Sequence, residues 1–259
     1  MEQFLAERDQ IASVTTPALF ERLWRGSMPG LISGQTPDRN VFYSSYLSTY
    51  VERDVRELSG NVDALKFNRF VTAVAARCSQ LLNYNALAED ADIDIQTSKA
   101  WINILETLGI IFFLHPYSNN VLKRTIKTPK VYFYDTGLVC YLTRWSSPEV
   151  AESGAMSGAL LENYTVSEIV KSYQNAGLEP YLYFYRDRDA KEIDVILEGD
   201  GKLCPLEIKK AATPDKRLTR VFNVIDKSPL QLGTGAILCM ADHFSAFDNN
   251  NLIVPIWMI

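Results

Sequence analysis

The chain has 259 residues and a mass of 29.3 kDa, enough for one large domain or two small ones. Apolar residues make up 47% and charged residues 22%, a composition that excludes a disordered chain. The net charge of −5 and the pI near 5.2 exclude a protein that coats nucleic acid with its whole surface. Any nucleic-acid binding therefore has to be local.

The sequence predicts neither a membrane span nor a secreted protein. The longest apolar stretch, Leu108–Leu114, is interrupted by one glycine and is far shorter than the roughly 20 residues of a membrane span. The N-terminus has no basic segment followed by an apolar core, so we expect no signal peptide. The four cysteines stand far apart without a C-x-x-C pair, as is typical of free thiols in a reducing compartment. We expect a cytoplasmic protein without membrane association.

Histidine is scarce, which limits the chemistry available. His115 and His243 have no second histidine or cysteine at ligand spacing, which argues against a zinc site. General-base chemistry would have to come from carboxylates and lysine, and this argues against a Ser-His-Asp hydrolase.

Residues 1–60 predict a helical segment broken by loops. A Gly- and Pro-rich interruption, residues 26–37, separates its second helix from its third. The aromatic stripe Tyr43, Tyr46 and Tyr50 has helical spacing and favours packing over a nucleic-acid platform. The predicted helices are Phe4–Ile11, Pro17–Leu23 and Tyr43–Leu58.

Residues 61–145 predict a winged-helix domain, because three helices are followed by two strands around a polar loop, Ser118–Lys130. Asp94 has the position of an N-cap for the third helix, and Gly109 ends that helix. The predicted helices are Ala64–Cys78, Asn85–Ala91 and Ile95–Leu108, and the predicted strands are Ile110–Leu114 and Val131–Tyr134.

Charge is unevenly distributed in this domain. Residues 85–108 carry five acids and one base, so the recognition helix would be repelled by phosphates, whereas the following loop is basic. We expect any DNA contact to be made by this wing, through Lys123, Arg124, Lys127 and Lys130. Docking of a protein partner on the helix-turn-helix and a merely solvated loop both stay open.

Residues 144–158 are rich in Ser, Pro, Gly and Ala and predict a linker. Residues 158–259 then predict a mixed sheet flanked by helices, so the expected fold class is α+β or α/β. The predicted helices are Ala159–Ala176 and Pro214–Asp226, and the predicted strands are Tyr181–Arg186, Glu192–Glu198, Lys202–Lys209, Ala236–Met240 and Leu252–Trp257.

A carboxylate–lysine constellation is the most informative feature. Side chains alternate along a strand, and the turn at 199–201 makes its two flanking strands neighbours, so Asp194, Glu207 and Lys209 converge on one side of a sheet. Two carboxylates there suit Mg²⁺ or Mn²⁺. Glu162 heads an otherwise apolar helical stripe and so points inward as another acid. Alternating charges on a solvated strand are the simpler alternative.

These residues in the order α-β-β-β-α-β resemble the PD-(D/E)xK nuclease superfamily. The resemblance implies that Asp194 and Glu207 are metal ligands, Lys209 the catalytic lysine and Glu162 the acid on the first helix, which is also catalytic. It covers residues 158–259.

A second resemblance covers nearly the whole chain. Residues 20–26 (FERLWRG), 50–55 (YVERDV), 127–138 (KTPKVYFYDTGL), 192–194 and 207–209 look like the C-terminal half of a prokaryotic AAA+ ATPase family. That family carries a winged helix and a nuclease-like C-terminal domain of unknown function. Its ATPase module is missing, because no G-x-x-x-x-G-K-[ST] occurs. We therefore expect no ATP binding by this chain, as in a truncated product or a remnant.

Two functions follow from these resemblances. The first is a nuclease-like domain that uses Mg²⁺ or Mn²⁺ to bind or hydrolyse DNA. The alternative is a catalytically inactive nuclease-like scaffold that serves the ATPase as a protein-interaction module.

Overall fold

The computed structural model describes residues 13–35, 38–51, 53, 55, 62–118, 128–187, 189, 191–225 and 228–259. The chain divides into two compact units. Of the described residues, those within 20–114 and 128–167 form the helical unit, and those within 13–19, 115–118 and 168–259 form the sheet unit. The predicted boundary near residue 60 falls inside the helical unit.

The first part of the chain forms three short helices, α1 (Thr16–Arg25), α2 (Pro29–Ile32) and α3 (Arg39–Ser45). Asp38 caps α3 by accepting hydrogen bonds from the amides of Asn40 and Val41. A π-helical turn, Tyr46–Val51, follows α3 where the sequence predicts one continuous helix. The predicted helix Phe4–Ile11 and residues 56–58 lie outside the described residues.

The described part of residues 64–133 contains three helices and three strands, and the sequence does not predict the short strand between the first two helices. The helices are α4 (Ala64–Ala75), α5 (Tyr84–Ala91) and α6 (Ile95–Thr107), and the strands are β1 (Gln80–Leu81), β2 (Ile111–Pro116) and β3 (Lys130–Phe133). The antiparallel strands have the order β1-β3-β2. Asp94 caps α6 as predicted, since its carboxylate accepts the amide of Thr97 at 2.9 Å.

The helical unit has one apolar core. It combines Phe20 and Tyr43 from the first segment with Phe70 of α4 and Trp101 of α6, and all are at most 5% exposed. Because burial of apolar surface is the main driving force for folding, these parts stabilise one another. Tyr43 of the aromatic stripe is buried in this core, as its helical spacing predicts.

The predicted linker is ordered. Helix α7 (Thr136–Leu142) is followed by α8 (Pro148–Ser153), which lies within the predicted linker. Ser147 caps α8, Pro148 occupies its first turn, and Ala151 is fully buried in the core. A linker prediction from composition is therefore wrong here, because Ser and Pro act as helix-start residues.

The sheet unit contains a mixed sheet with the order β4-β5-β6-β8-β10-β9. Strands β4 to β6 form an antiparallel meander, whereas β6, β8 and β10 run parallel. Residues 168–175 of α9 (Ser157–Asn175) belong to this unit, and its earlier residues belong to the helical unit. The other elements are β4 (Leu182–Arg186), β5 (Glu192–Gly199), β6 (Lys202–Lys209), a 3₁₀-helix (Lys216–Ile225), β7 (Gln231–Leu232), β8 (Gly235–Cys239), β9 (Ser245–Asp248), β10 (Asn251–Pro255) and a terminal 3₁₀ turn (Ile256–Met258). This confirms the predicted mixed α+β class.

Two details differ from prediction. The helix expected over 214–226 is a 3₁₀-helix, although its Phe222 and Ile225 are buried against Ile196 and Ile237 as an apolar face requires. Strands β7 and β9 were not predicted from the sequence. Their residues are exposed or half-buried, and neither segment has the apolar run or the apolar–polar alternation that predicts a strand.

Candidate carboxylate–lysine site

The hairpin between β5 and β6 places the acids side by side. Its turn needs left-handed backbone at Asp200 (φ 50°) and Gly201 (φ 72°), and glycine adopts that conformation without steric cost. The antiparallel register pairs Val195 with Leu206, so the adjoining residues Asp194 and Glu207 lie next to each other across the two strands. The predicted neighbour relation of the two strands is confirmed.

Lys209 lies against both carboxylates. Its Nζ is 2.6 Å from Glu207 Oε1 and 3.8 Å from Asp194 Oδ2. Asp194 Oδ2 also accepts the backbone N–H of Ile208 at 2.8 Å, which fixes the aspartate to β6. The structure therefore brings together Asp194, Glu207 and Lys209, three of the residues singled out by sequence.

The pair is buried and electrostatically strained. Asp194 and Glu207 are each 8% exposed, whereas the Lys209 side chain is 38% exposed. Burial raises the pKa of Glu207 to about 7, the Asp194 charge adds to that rise, and the Lys209 hydrogen bond opposes it. The Glu207 carboxyl therefore keeps its proton up to nearly neutral pH, and a bound cation would stabilise its ionised form.

Glu207 Oε2 has no hydrogen-bond partner in the described part of the chain, although it is buried. Buried carboxylate oxygens are normally paired, so an oxygen of this kind is suited to a hard cation. Among the described residues no group of three or more His, Cys, Asp or Glu side chains has metal-binding proximity. The residues present fit Mg²⁺ or Mn²⁺ held by two carboxylates, with water as the other ligands.

Glu162 has partners inside the helical unit. Its Oε1 accepts from Tyr132 Oη at 2.7 Å and from Lys130 Nζ at 3.1 Å. The side chain is 18% exposed, in keeping with the inward orientation that its helical stripe predicts. This ion pair joins α9 to β3, and the catalytic role that the nuclease resemblance implies for Glu162 stays a prediction.

Of the four basic residues predicted for the wing, the structure describes Lys130. Lys123, Arg124 and Lys127 lie outside the described residues. Lys130 differs from the exposed loop position expected of it, because it is the first residue of β3 and only 4% exposed. Its ammonium is bound to Glu162, so Lys130 does not belong to an exposed basic surface.

The helical unit also contains a buried polar network that the sequence does not predict. Asp135 Oδ1 accepts from Tyr43 Oη at 2.6 Å and from the amide of Leu138 at 2.7 Å, and its Oδ2 accepts the amide of Ser27 at 2.7 Å. Asp135 and Leu138 lie in the segment KTPKVYFYDTGL and Ser27 directly follows FERLWRG, whereas Tyr43 lies in α3 outside both segments. The contacts of the Asp135 carboxylate join distant parts of the chain, so residue spacing alone does not predict them.

These features define a mixed α+β chain whose sheet unit carries a buried Asp–Glu–Lys site. The chain belongs to the family described as "Domain of unknown function (DUF8612)", whose profile matches residues 16–149. Residues 157–259 match a second family profile, "Domain of unknown function (DUF4143)".

Two curated relatives are similar over 238 residues. They are the uncharacterized protein Rv2008c of Mycobacterium tuberculosis and the uncharacterized protein Mb2031c of Mycobacterium bovis. Each is 27% identical, and the alignment covers 91% of this chain and 52% of the relative. The chain thus spans about half the length of these relatives. No solved structure matches it significantly.

Among the described residues, no helix has both the length and the apolar character needed to cross a membrane.

Proposed function

We propose that this chain is the C-terminal region of a AAA+ family ATPase and that its sheet unit is a nuclease-like domain. The proposed activity is Mg²⁺- or Mn²⁺-dependent binding or hydrolysis of DNA. Its support is the set of quoted motifs, the element order of α9 to β8, and the meeting of Asp194, Glu207 and Lys209. The observation that carries it is the buried, unpartnered Oε2 of Glu207.

In this proposal Asp194 and Glu207 hold the cation, which when bound would acidify a coordinated water and neutralise phosphate charge. The hydrogen bond from Ile208 keeps the Asp194 carboxylate oriented for this task. Lys209 is the most exposed member of the site, so its ammonium is placed to pair with an anionic phosphate oxygen.

The proposed partners are DNA, through Lys123, Arg124 and Lys127 of the wing, or a protein bound by the winged helix. The negative charge of residues 85–108 is partly neutralised, because two of their acids form ion pairs with basic residues outside this segment. Asp90 pairs with Arg77 at 2.6 Å and Asp92 with Lys66 at 2.9 Å. All four cysteines are free thiols, which supports the cytoplasm as the proposed compartment.

A scaffold without turnover is the second candidate, and one observation favours it. The Lys209 ammonium already lies 2.6 Å from Glu207 and balances part of the charge without a metal. Inactive members of a nuclease fold keep their sheet, so the fold is compatible with both candidates.

Nicking of supercoiled plasmid DNA by the purified chain with millimolar Mn²⁺ separates the two candidates. We expect nicking by the wild type and by Lys202→Ala, which removes an exposed lysine from the other end of β6. We expect none from Lys209→Ala or Asp194→Asn. Absence of nicking by the wild type would reject the nuclease and leave the scaffold, and activity equal in wild type and Lys209→Ala would reject the role of Lys209.

A further inference from the structure

A cleft of about 620 Å³ lies on the helical unit, among α3, α4 and the end of α7. Its volume falls within the range of small-molecule sites. It takes no part in the carboxylate–lysine site. The lining residues that matter for the argument are Arg39, Asn40, Asn68, Tyr141, Arg144 and Trp145.

The cleft is cationic. None of its described lining residues is acidic, and two are arginines. Arg39 is only 8% exposed, and its guanidinium lies 4.3 Å from the centre of the Trp24 ring. It donates to the carbonyls of Trp24 at 2.8 Å and Gly137 at 2.9 Å, which are neutral acceptors.

No carboxylate of the described residues lies within 4.0 Å of the Arg39 guanidinium. Asp135 attracts it from farther away, but the Asp135 oxygens accept from Tyr43, Ser27 and Leu138. Buried charges in proteins are usually paired with an opposite charge. The cleft therefore keeps a positive potential that no described carboxylate neutralises at contact distance.

The rim of the cleft offers a further cationic donor. Arg144 is exposed, has a left-handed backbone (φ 60°) and lines both this cleft and a neighbouring groove along α4. Trp145 also lines the cleft, and its indole N–H is buried without an acceptor in the described structure.

We propose that this cleft binds a small organic anion, with its phosphate or carboxylate group between Arg144 and Arg39 and its remaining atoms against Tyr141 and Trp145. Guanidinium groups recognise both kinds of anion through paired N–H donors, and aromatic side chains provide area for a planar group. The arrangement assigns this unit a ligand site that is independent of divalent metal.

Isothermal titration of the chain with AMP, adenosine and citrate in metal-free buffer tests the site. We expect AMP or citrate to bind and adenosine, which lacks the anion, to bind at least about tenfold more weakly than AMP. Binding of AMP alone identifies a phosphate ligand, and binding of citrate alone a carboxylate ligand. Failure of both anions to bind at millimolar concentration overturns the proposal.

Two matched variants locate the binding. Arg144→Gln removes the rim cation and should lower the affinity for the anion about tenfold. Arg69→Gln removes an exposed arginine of α4 that lies outside the cleft, and it should change this affinity less than about twofold. The Trp145 indole N–H resonance, assigned with Trp145→Phe, should shift on titration. Equal affinity in wild type and Arg144→Gln, or an unmoved Trp145 resonance, contradicts the proposed site.

Discussion

Glu207 is the residue whose ionisation controls the carboxylate–lysine site. Because its pKa is raised from 4.5 to about 7 in the folded chain, the folded state holds the proton more tightly than the unfolded state does. Its contribution to the free energy of unfolding is full below about pH 4.5 and is lost as the pH rises through about 7. Ionised Glu207 therefore destabilises the fold at alkaline pH.

Replacing Glu207 by Gln should remove this pH dependence. Between pH 5 and pH 8 the wild type should lose up to about 3 kcal/mol of unfolding free energy relative to Glu207→Gln, since each pKa unit is worth about 1.4 kcal/mol. Urea unfolding at both pH values measures it. Glu179→Gln, which removes an exposed carboxylate, should keep the wild-type profile. Parallel profiles for wild type and Glu207→Gln would refute the raised pKa.

Gly137 is the second residue with a testable role. A Cβ built there would lie 2.2 Å from Tyr43 Oη and 2.6 Å from the carbonyl oxygen of Arg25, so the helical unit has no room for one. We expect Gly137→Ala to destabilise the chain by about 2–4 kcal/mol in thermal or urea unfolding. Gly158→Ala, in α9 with no atom within 4 Å of the new Cβ, should be neutral or slightly stabilising. Similar effects of both changes would contradict the packing described.

At the scale of elements, helix starts depend on caps. Asn83 accepts the amides of Asn85 and Ala86 at 3.1 Å and so begins α5. Asn83→Ala should cost about 1 kcal/mol of stability, measured by chemical unfolding. Asn85→Ala, an exposed change in the same first turn, should have no cost because alanine favours the helix. A larger loss from Asn85→Ala than from Asn83→Ala would contradict this assignment.

Strong periodicity made many elements predictable. The strands Glu192–Gly199 and Lys202–Lys209 alternate, and the turn between them contains Gly201, so both the hairpin and the Asp194–Glu207 pair follow from sequence. Helix α8 was missed because its composition resembles a linker, and β1 and β7 because two residues carry no period. The burial of Lys130 against Glu162 depends on a contact between distant segments, which spacing does not reveal.

At the scale of the whole molecule, each unit has its own apolar core, one centred on residues such as Phe70 and Tyr43 and the other on Ile196 and Phe222. The sequence contains no phosphate-cradling G-x-x-x-x-G-K-[ST] loop. We therefore expect no Mg²⁺-dependent ATP hydrolysis by this chain. A phosphate-release assay checks this, and turnover above that of a heat-denatured sample would contradict it.

We propose that Asp194 and Glu207 hold a divalent cation. Mn²⁺ binding measured by electron paramagnetic resonance, together with the melting temperature in Mn²⁺, tests whether they do. We expect bound Mn²⁺ and a higher melting temperature for the wild type, because a ligand that binds the folded state stabilises it. We expect neither for Asp194→Asn, which keeps the side-chain volume. No bound Mn²⁺ in the wild type, or equal binding by Asp194→Asn, would contradict it.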